Sequence, residues 1–366
     1  MLAAGGFAVR AVGTTATERQ SKTDPLEYLR ELGIRPKAEP AHTKARVRPE
    51  ITFEHRNIQY RLLDVGNRSM HGWQEIQGKQ FDQIFDDEIH TFRPDLLPGD
   101  VKRHQRARRQ GVRIVFALRN DGYLQRGFFD DMDGVVTPSQ FLTDFYRGAI
   151  GLESTPLTLP IELEDVVAKD HDPIFFTMIN PSPEKGLMVV ARLAEELSIR
   201  RPDIPLLVIE SRGSAGRVVQ AGLTAGFDLR RHENLMLSPA LPKPKDIYVA
   251  TRALLAPSLW QEPAGRVVVE ALLKGIPPIV SDRGGLAETC NGGGFIIPML
   301  PGVTRDTPRP VDFEVVEPWI ELIIRLEGDP DFYRAESERA LEAGMMYRPE
   351  RLAPRYVEYF RGIMDA

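Results

Sequence analysis

Glu262 and Glu270, separated by seven residues, bracket the stretch of this chain with the most chemistry in it: Pro257-Ser-Leu-Trp-Gln-Glu262-Pro-Ala-Gly-Arg-Val-Val-Val-Glu270-Ala271. Pro263 disfavours the α conformation at the residue before it, which places the Glu262 carboxylate in a loop. A helix is expected to begin near Gly265. Its first amides have no acceptor within the helix and its dipole end is positive, so Ala264, Gly265 and Arg266 offer a cradle for phosphate, and Gly265 lets a ligand come close. Glu270 follows just over a turn later, flanked by Val267, Val268, Val269, Leu272 and Leu273. A carboxylate in such apolar company needs a hydrogen-bonding partner, and a ribose diol is one. On spacing alone, a helix cap and a surface glutamate explain the pair equally well.

Two further motifs flank this stretch. Upstream, Asn180-Pro-Ser-Pro-Glu-Lys185-Gly186 follows a strand-like run; downstream, Leu272-Leu-Lys-Gly-Ile-Pro-Pro-Ile-Val-Ser281 leads to Gly284-Gly-Leu-Ala-Glu288. In this order the motifs resemble the retaining glycosyltransferases of the GT-B fold, in particular family 4 (glycosyl transferases group 1), whose signature is Glu-x7-Glu. The resemblance covers roughly 174–298 and includes the lysine-glycine motif and the Gly-Gly-x-x-Glu loop. It implies that Lys185 sits on the diphosphate of a nucleotide-sugar donor, that Glu270 holds the ribose hydroxyls, and that Glu262 contacts the donor sugar near the reacting centre. The amides around Ala264, Gly265 and Arg266 would then receive the phosphates. The implied reaction moves a sugar from a nucleotide diphosphate to an acceptor with retention at the anomeric carbon. Lys185 and a helix N-terminus supply the positive potential that the departing diphosphate needs, so neither a metal nor another cofactor is expected. Asn180 stands where the family usually has arginine, and Arg212 or Arg266 can replace that cation.

Other candidate groups carry less. Asp131-Met-Asp133 matches the Asp-x-Asp metal motif of the other glycosyltransferase fold, but it precedes the strand-like Gly134-Val-Val-Thr137, where solvated carboxylates are common, and is read as structural. Asp86-Asp87-Glu88-Ile-His90 points its groups in diverging directions if it is helical. Trp73, Tyr60 and Tyr123 are candidates for stacking on a sugar or an aromatic aglycone, with ordinary packing the plainer explanation for each. Phe116-Ala-Leu-Arg119-Asn120 occupies the place where relatives tend to carry a histidine near the donor sugar. Arg119 cannot shuttle protons near neutral pH but can bind an oxyanion, and with Glu262 it completes the expected catalytic pair.

The elements that must position these residues divide the chain in two. Between Ile174 and Pro298 apolar runs alternate with amphipathic stretches, the pattern of a doubly wound parallel sheet: strands at 174–179, 206–209, 235–237, 253–256, 278–280 and 294–297, with helices from near Glu184, Ala215, Lys243 and Gly265. The N-terminal half is less regular. Strands are expected at 7–13, 51–54, 58–63, 112–118 and 134–137, and helices at 78–92 and 139–148. The opening Met1-Leu-Ala-Ala-Gly-Gly-Phe-Ala-Val-Arg10 reads as the end of a first helix followed by a second strand, so the innermost strand of this domain is expected to be missing, and 92–100 is compressed relative to the family. The expected organisation is an α/β GT-B-like chain of two Rossmann-like domains facing a cleft, 1–165 on the acceptor side and 166–345 on the donor side. A C-terminal helix, 346–366, would return to the first domain, presenting Leu352, Tyr356, Tyr359, Phe360 and Ile363 on one side.

Composition bounds the function. The chain has 366 residues and a net charge of −5, which argues against a general nucleic-acid partner. Cys290 is the single cysteine, excluding an intramolecular disulfide and a cysteine-based zinc site. The N-terminal stretch lacks the basic region of a signal peptide, and a cytoplasmic protein is expected. Lys102, Arg103, Arg106, Arg108, Arg109 and Arg113 crowd one stretch. They read as a solvated helix face or, alternatively, as a patch for peripheral contact with anionic lipid. The expected partners are a nucleotide-sugar donor and an acceptor of unknown class. A catalytically impaired sugar-nucleotide-binding protein and a sugar-nucleotide epimerase of the same fold are the alternatives.

Overall fold

Short runs of β-branched and large apolar residues make the central strands of this protein, and turn residues end them. In the computed structural model the described residues are 2, 5–6, 10–14, 25–31, 33–42, 47–55, 57–63, 90–92, 105, 108–109, 111, 113–241 and 243–366. They cluster into two compact units: Met1–Leu118 with Gln125–Val136 and Ala353–Ala366, and Arg119–Leu124 with Thr137–Leu352. The segment 137–165, placed with the N-terminal half on sequence, thus clusters with the second unit.

In the first unit, strands β1 (Arg10–Thr14), β2 (Lys37–His42), β3 (Val47–His55) and β4 (Ile58–Leu63) form a sheet of order β1-β4-β3-β2. β3 and β4 are an antiparallel hairpin in which His55 faces Ile58, whereas β1 runs parallel to β4. This sheet is therefore mixed rather than all-parallel. Asn57 makes the tight turn with φ 60°, a conformation that asparagine tolerates. A second sheet pairs β5 (His90–Phe92), β6 (Ile114–Ala117) and β7 (Gly134–Thr137) in parallel, while the two-residue strand β8 (Thr155–Pro156) belongs to the second unit. The helix expected over 78–92 is thus wrong at its end: 90–92 is a strand paired parallel with 114–116, so the apolar spacing there reflects sheet pairing. The rest of that helix, the 86–88 carboxylates and Trp73 lie outside the described residues.

The second unit is built around a six-stranded parallel sheet of order β11-β10-β9-β12-β13-β14, formed by Phe175–Ile179 (β9), Leu206–Ile209 (β10), Leu235–Ser238 (β11), Thr251–Ala256 (β12), Pro278–Ser281 (β13) and Phe295–Ile297 (β14). Successive residues of a strand face opposite sides, and here both sides are buried. On one face Leu255 and Ile279 join Val190, Leu193 and Leu197 of one helix and Trp319, Ile320 and Ile323 of another. Leu254 and Val280, one residue away, join Val268, Val269, Leu272, Leu286 and Ala340 on the other face. The helices concerned are Leu187–Arg200, Arg266–Lys274, Leu286–Cys290, Phe313–Gly328 and Pro330–Gly344.

The strand order reverses between β9 and β12. At such a switch point the loops leaving the two carboxyl ends diverge, and a crevice opens between them. Here the loops are 180–186 and 257–265. Gly186 has φ +92°, and a Cβ placed on it would lie 2.1 Å from the Pro257 carbonyl oxygen. Both the backbone conformation and the crossing therefore demand glycine. We expect Gly186→Ala to lower unfolding free energy by at least about 2 kcal/mol. Gly148→Ala, in the helix Gln140–Ile150 with open space around its Cβ, should raise it by about 0.4–1 kcal/mol. Chemical denaturation of the two variants checks both signs.

Candidate functional site

The loop after β9 is set by its first residue. Asn180 adopts φ 66° and its side-chain Oδ1 accepts from the Gly213 amide at 2.8 Å, joining this loop to the one after β10 that carries exposed Arg212. A short 3-10 turn, Pro183–Lys185, follows, and its Glu184 carbonyl accepts from the Leu259 and Trp260 amides at 2.9 and 3.2 Å. The two switch-point loops are thereby tied backbone to backbone.

This tie brings Lys185 to Glu262. The Lys185 ammonium donates to Glu262 Oε1 in an ion pair, and it also lies 5.2 Å from the centroid of the Trp260 ring. Ser258 Oγ donates to the same Oε1 at 2.7 Å, with the Glu184 carbonyl 3.0 Å away. Glu262 is only 7% exposed, so these partners meet the requirement of a buried charge. The Lys185 side chain is 27% exposed, and its cation thus borders both the carboxylate and solvent.

Glu262 is also held from behind. Gly284 has φ +64°, and a Cβ on it would fall 2.3 Å from the Glu262 nitrogen. The next amide, Gly285 N–H, donates to the Glu262 carbonyl at 2.7 Å. Glu288 turns away from this loop: its two carboxylate oxygens accept from the Gln140 and Phe141 amides, each at 2.7 Å, at the N-terminus of the helix Gln140–Ile150. A carboxylate there satisfies amides without an intrahelical acceptor and complements the positive end of the dipole. Ser139, the N-cap of that helix, donates from Oγ to the Pro263 carbonyl. The Gly-Gly-x-x-Glu motif thus anchors the Glu262 loop to a neighbouring helix.

The helix expected near Gly265 runs from Arg266 to Lys274 with Gly265 as its N-cap. The Gly265 amide donates to Thr289 Oγ1 at 3.3 Å, and the space its Cβ would need is filled by Leu286 and Val268. Close packing of the chain itself, rather than ligand approach, accounts for this glycine. Ala264 and Arg266 flank that N-cap.

Glu270 is 5% exposed, and the chain supplies the partner that its apolar setting demanded. Tyr248, fully buried, donates from its hydroxyl to Oε2 at 2.8 Å; Arg266 donates from Nε to Oε1 at 2.8 Å. Burial, reinforced by the Glu270 charge, holds the Tyr248 phenol well above its ordinary pKa, so it remains a donor throughout the physiological range. Arg119 is exposed in the segment Arg119–Leu124, and the bonds that join Lys185, Ser258 and Glu262, and those that join Tyr248, Arg266 and Glu270, are made without it. Asp133 is occupied: it accepts from the Ile114 amide at 2.8 Å and pairs with Arg113 at 3.3 Å and Arg108 at 3.7 Å. Two arginines of the basic stretch 102–113 are thereby paired within the chain. Tyr60 stacks on Phe53 across the β3–β4 hairpin, with ring centroids 4.8 Å apart. Among the described residues no group of three or more His, Cys, Asp or Glu could hold a metal ion, and no helix is long and apolar enough to cross a membrane.

Sequence reading missed three contributors. Trp260 and Ser258 sit inside the stretch it singled out, where the signal was present but unassigned. Tyr248 lies 22 residues before Glu270, and nothing in the sequence links them.

Residues 161–299 match the family described as Glycosyl transferases group 1. The chain is 30% identical over 125 residues to spore coat protein SA of Bacillus subtilis (strain 168), a match spanning 32% of the chain and 32% of that protein. Its fold is that of GT-B glycosyltransferases. The sucrose-phosphate synthase of Thermosynechococcus elongatus superposes with a TM-score of 0.65 over 98% of this chain and 99% of that one, at 15% identity. Alr3699/HepE of Anabaena, solved in complex with UDP and glucose, superposes with a TM-score of 0.67 over 97% and 99%, at 13% identity. The family match thus falls within the second unit, and the likeness to the solved structures is one of fold.

Tyr248→Phe should leave Glu270 Oε2 buried without its donor and cost about 1–3 kcal/mol of stability. Thermal and chemical unfolding of the variant check the value, and a loss below about 0.5 kcal/mol would show that the bond contributes little.

Proposed function

We propose that this protein is a retaining, metal-independent glycosyltransferase of family 4, transferring a sugar from a nucleotide-diphosphate donor to an acceptor. The observation that carries this reading is the meeting of Lys185 and Glu262 across the switch point, with Glu270 one turn along the adjoining helix. The Anabaena protein of the same fold was solved with UDP and glucose, ligands of the class proposed here.

In this reading Glu270 accepts the ribose hydroxyls. The Ala264 and Arg266 amides bind the phosphates, while Lys185 turns from Glu262 towards the diphosphate. Glu262, released by Lys185, accepts a hydroxyl of the donor sugar. As the bond from the anomeric carbon to the phosphate oxygen breaks, its electron pair stays on the departing diphosphate; the acceptor hydroxyl oxygen bonds to the anomeric carbon on that same face, and its proton passes to the departing phosphate oxygen. Lys185 and the helix end stabilise that charge where it develops. Arg212, on the loop that Asn180 holds, supplies the second phosphate cation. Arg119 binds an oxyanion near the reacting centre and moves no proton. Cytoplasmic residence with peripheral lipid contact through 102–113 belongs to the same proposal.

Calorimetric titration with a panel of nucleoside diphosphates and nucleotide sugars tests this reading, with product analysis in parallel. Lys185→Ala and Glu270→Ala should each weaken diphosphate binding by about 10- to 100-fold, the loss of a charge-assisted hydrogen bond. Unchanged affinity in both overturns the donor site. Binding without turnover would identify a sugar-nucleotide-binding protein instead, and an isomerised sugar nucleotide would identify an epimerase.

A further inference from the structure

The two partners of Glu270 differ in one physical respect. Tyr248 is fully buried, so losing its bond would strand polar atoms away from water. Arg266 reaches Oε1 from outside with a side chain that is 66% exposed while the Glu270 side chain is 6% exposed, so the guanidinium can return to water but the carboxylate oxygen then needs another donor. One oxygen of Glu270 is thus locked to the core, and the other is covered by a removable cation. Arg266 is also the first residue of its helix, beside the amides available to phosphate.

We infer that Arg266 is a specificity-determining residue that exchanges partners on donor binding; this rests on the donor-site reading above. In the free protein its guanidinium covers Glu270 Oε1. A ribose hydroxyl then takes that oxygen, and the released guanidinium moves onto the diphosphate, where a planar, permanently charged donor can bind phosphate oxygens in pairs. Tyr248 keeps the carboxylate in place during the exchange. The consequence is discrimination: a nucleoside must displace Arg266 and has nothing to offer it, whereas a nucleoside diphosphate re-engages it. Glu270 is protected from ligands that bring a ribose without phosphate.

The test compares uridine, adenosine, UDP and ADP by calorimetry on the full chain and on Arg266→Ala, with the unfolding midpoint of each recorded. For the base that binds, Arg266→Ala should tighten the nucleoside by about 2- to 5-fold, as the cation competing for Oε1 is removed, and weaken the diphosphate by about 10-fold or more. Equal weakening of both ligands, or no change in either, overturns the exchange and leaves Arg266 as a surface ion pair. If neither diphosphate binds the unaltered chain, the donor-site reading fails first and the exchange falls with it.

Discussion

The close crossing of two loops at the reversal of strand order is the constraint on which this site depends. Gly186 and the Pro257 carbonyl approach so closely that no side-chain carbon fits between them. The Glu184 carbonyl takes two amides from the opposite loop. A parallel sheet with helices on both faces produces such a reversal as a matter of topology, because the chain must return to the first strand before adding strands on its other side. What the glycine adds is distance.

Two buried carboxylates are then given hydrogen-bonding partners by different means. Glu262 has a cation and a hydroxyl converging on one oxygen. Glu270 has a buried phenol on one oxygen and an exposed guanidinium on the other. Burial makes an unpaired carboxylate costly, so the partners are a condition of the fold as well as of the site. In both cases the cationic partner reaches solvent while the carboxylate does not.

The scaffold behind the site reuses a motif that looks chemical in the sequence. Gly284 and Gly285 back the Glu262 loop, and Glu288 caps the helix Gln140–Ile150. Gly265, read as an opening for phosphate, is instead filled by Leu286 and Val268. Glycines and carboxylates near a site serve packing and capping as readily as binding, and only their neighbours distinguish the two. The expected helix over 78–92 fails at 90–92 for a related reason: apolar spacing in a short segment does not say whether the residues will find a strand to pair with.

The sequence by itself determined the doubly wound unit. Apolar runs bounded by turn residues placed Leu206–Ile209 without error and the remaining five strands of its sheet to within a residue or two, because the central strands are buried on both faces and the edge strands, though partly exposed, are still apolar runs ended by turn residues. It also determined that Glu262 lies in a loop and Glu270 in a helix, through Pro263 and the spacing that follows. Tertiary structure alone decided the partners. Lys185 and Glu262 are 77 residues apart, Tyr248 and Glu270 are 22 apart, and Glu288 and Gln140 are 148 apart. Local propensity acts over a few residues, whereas these contacts arise where strand order and loop crossing bring distant segments together. The pairing of charges that defines this site is therefore a property of the fold.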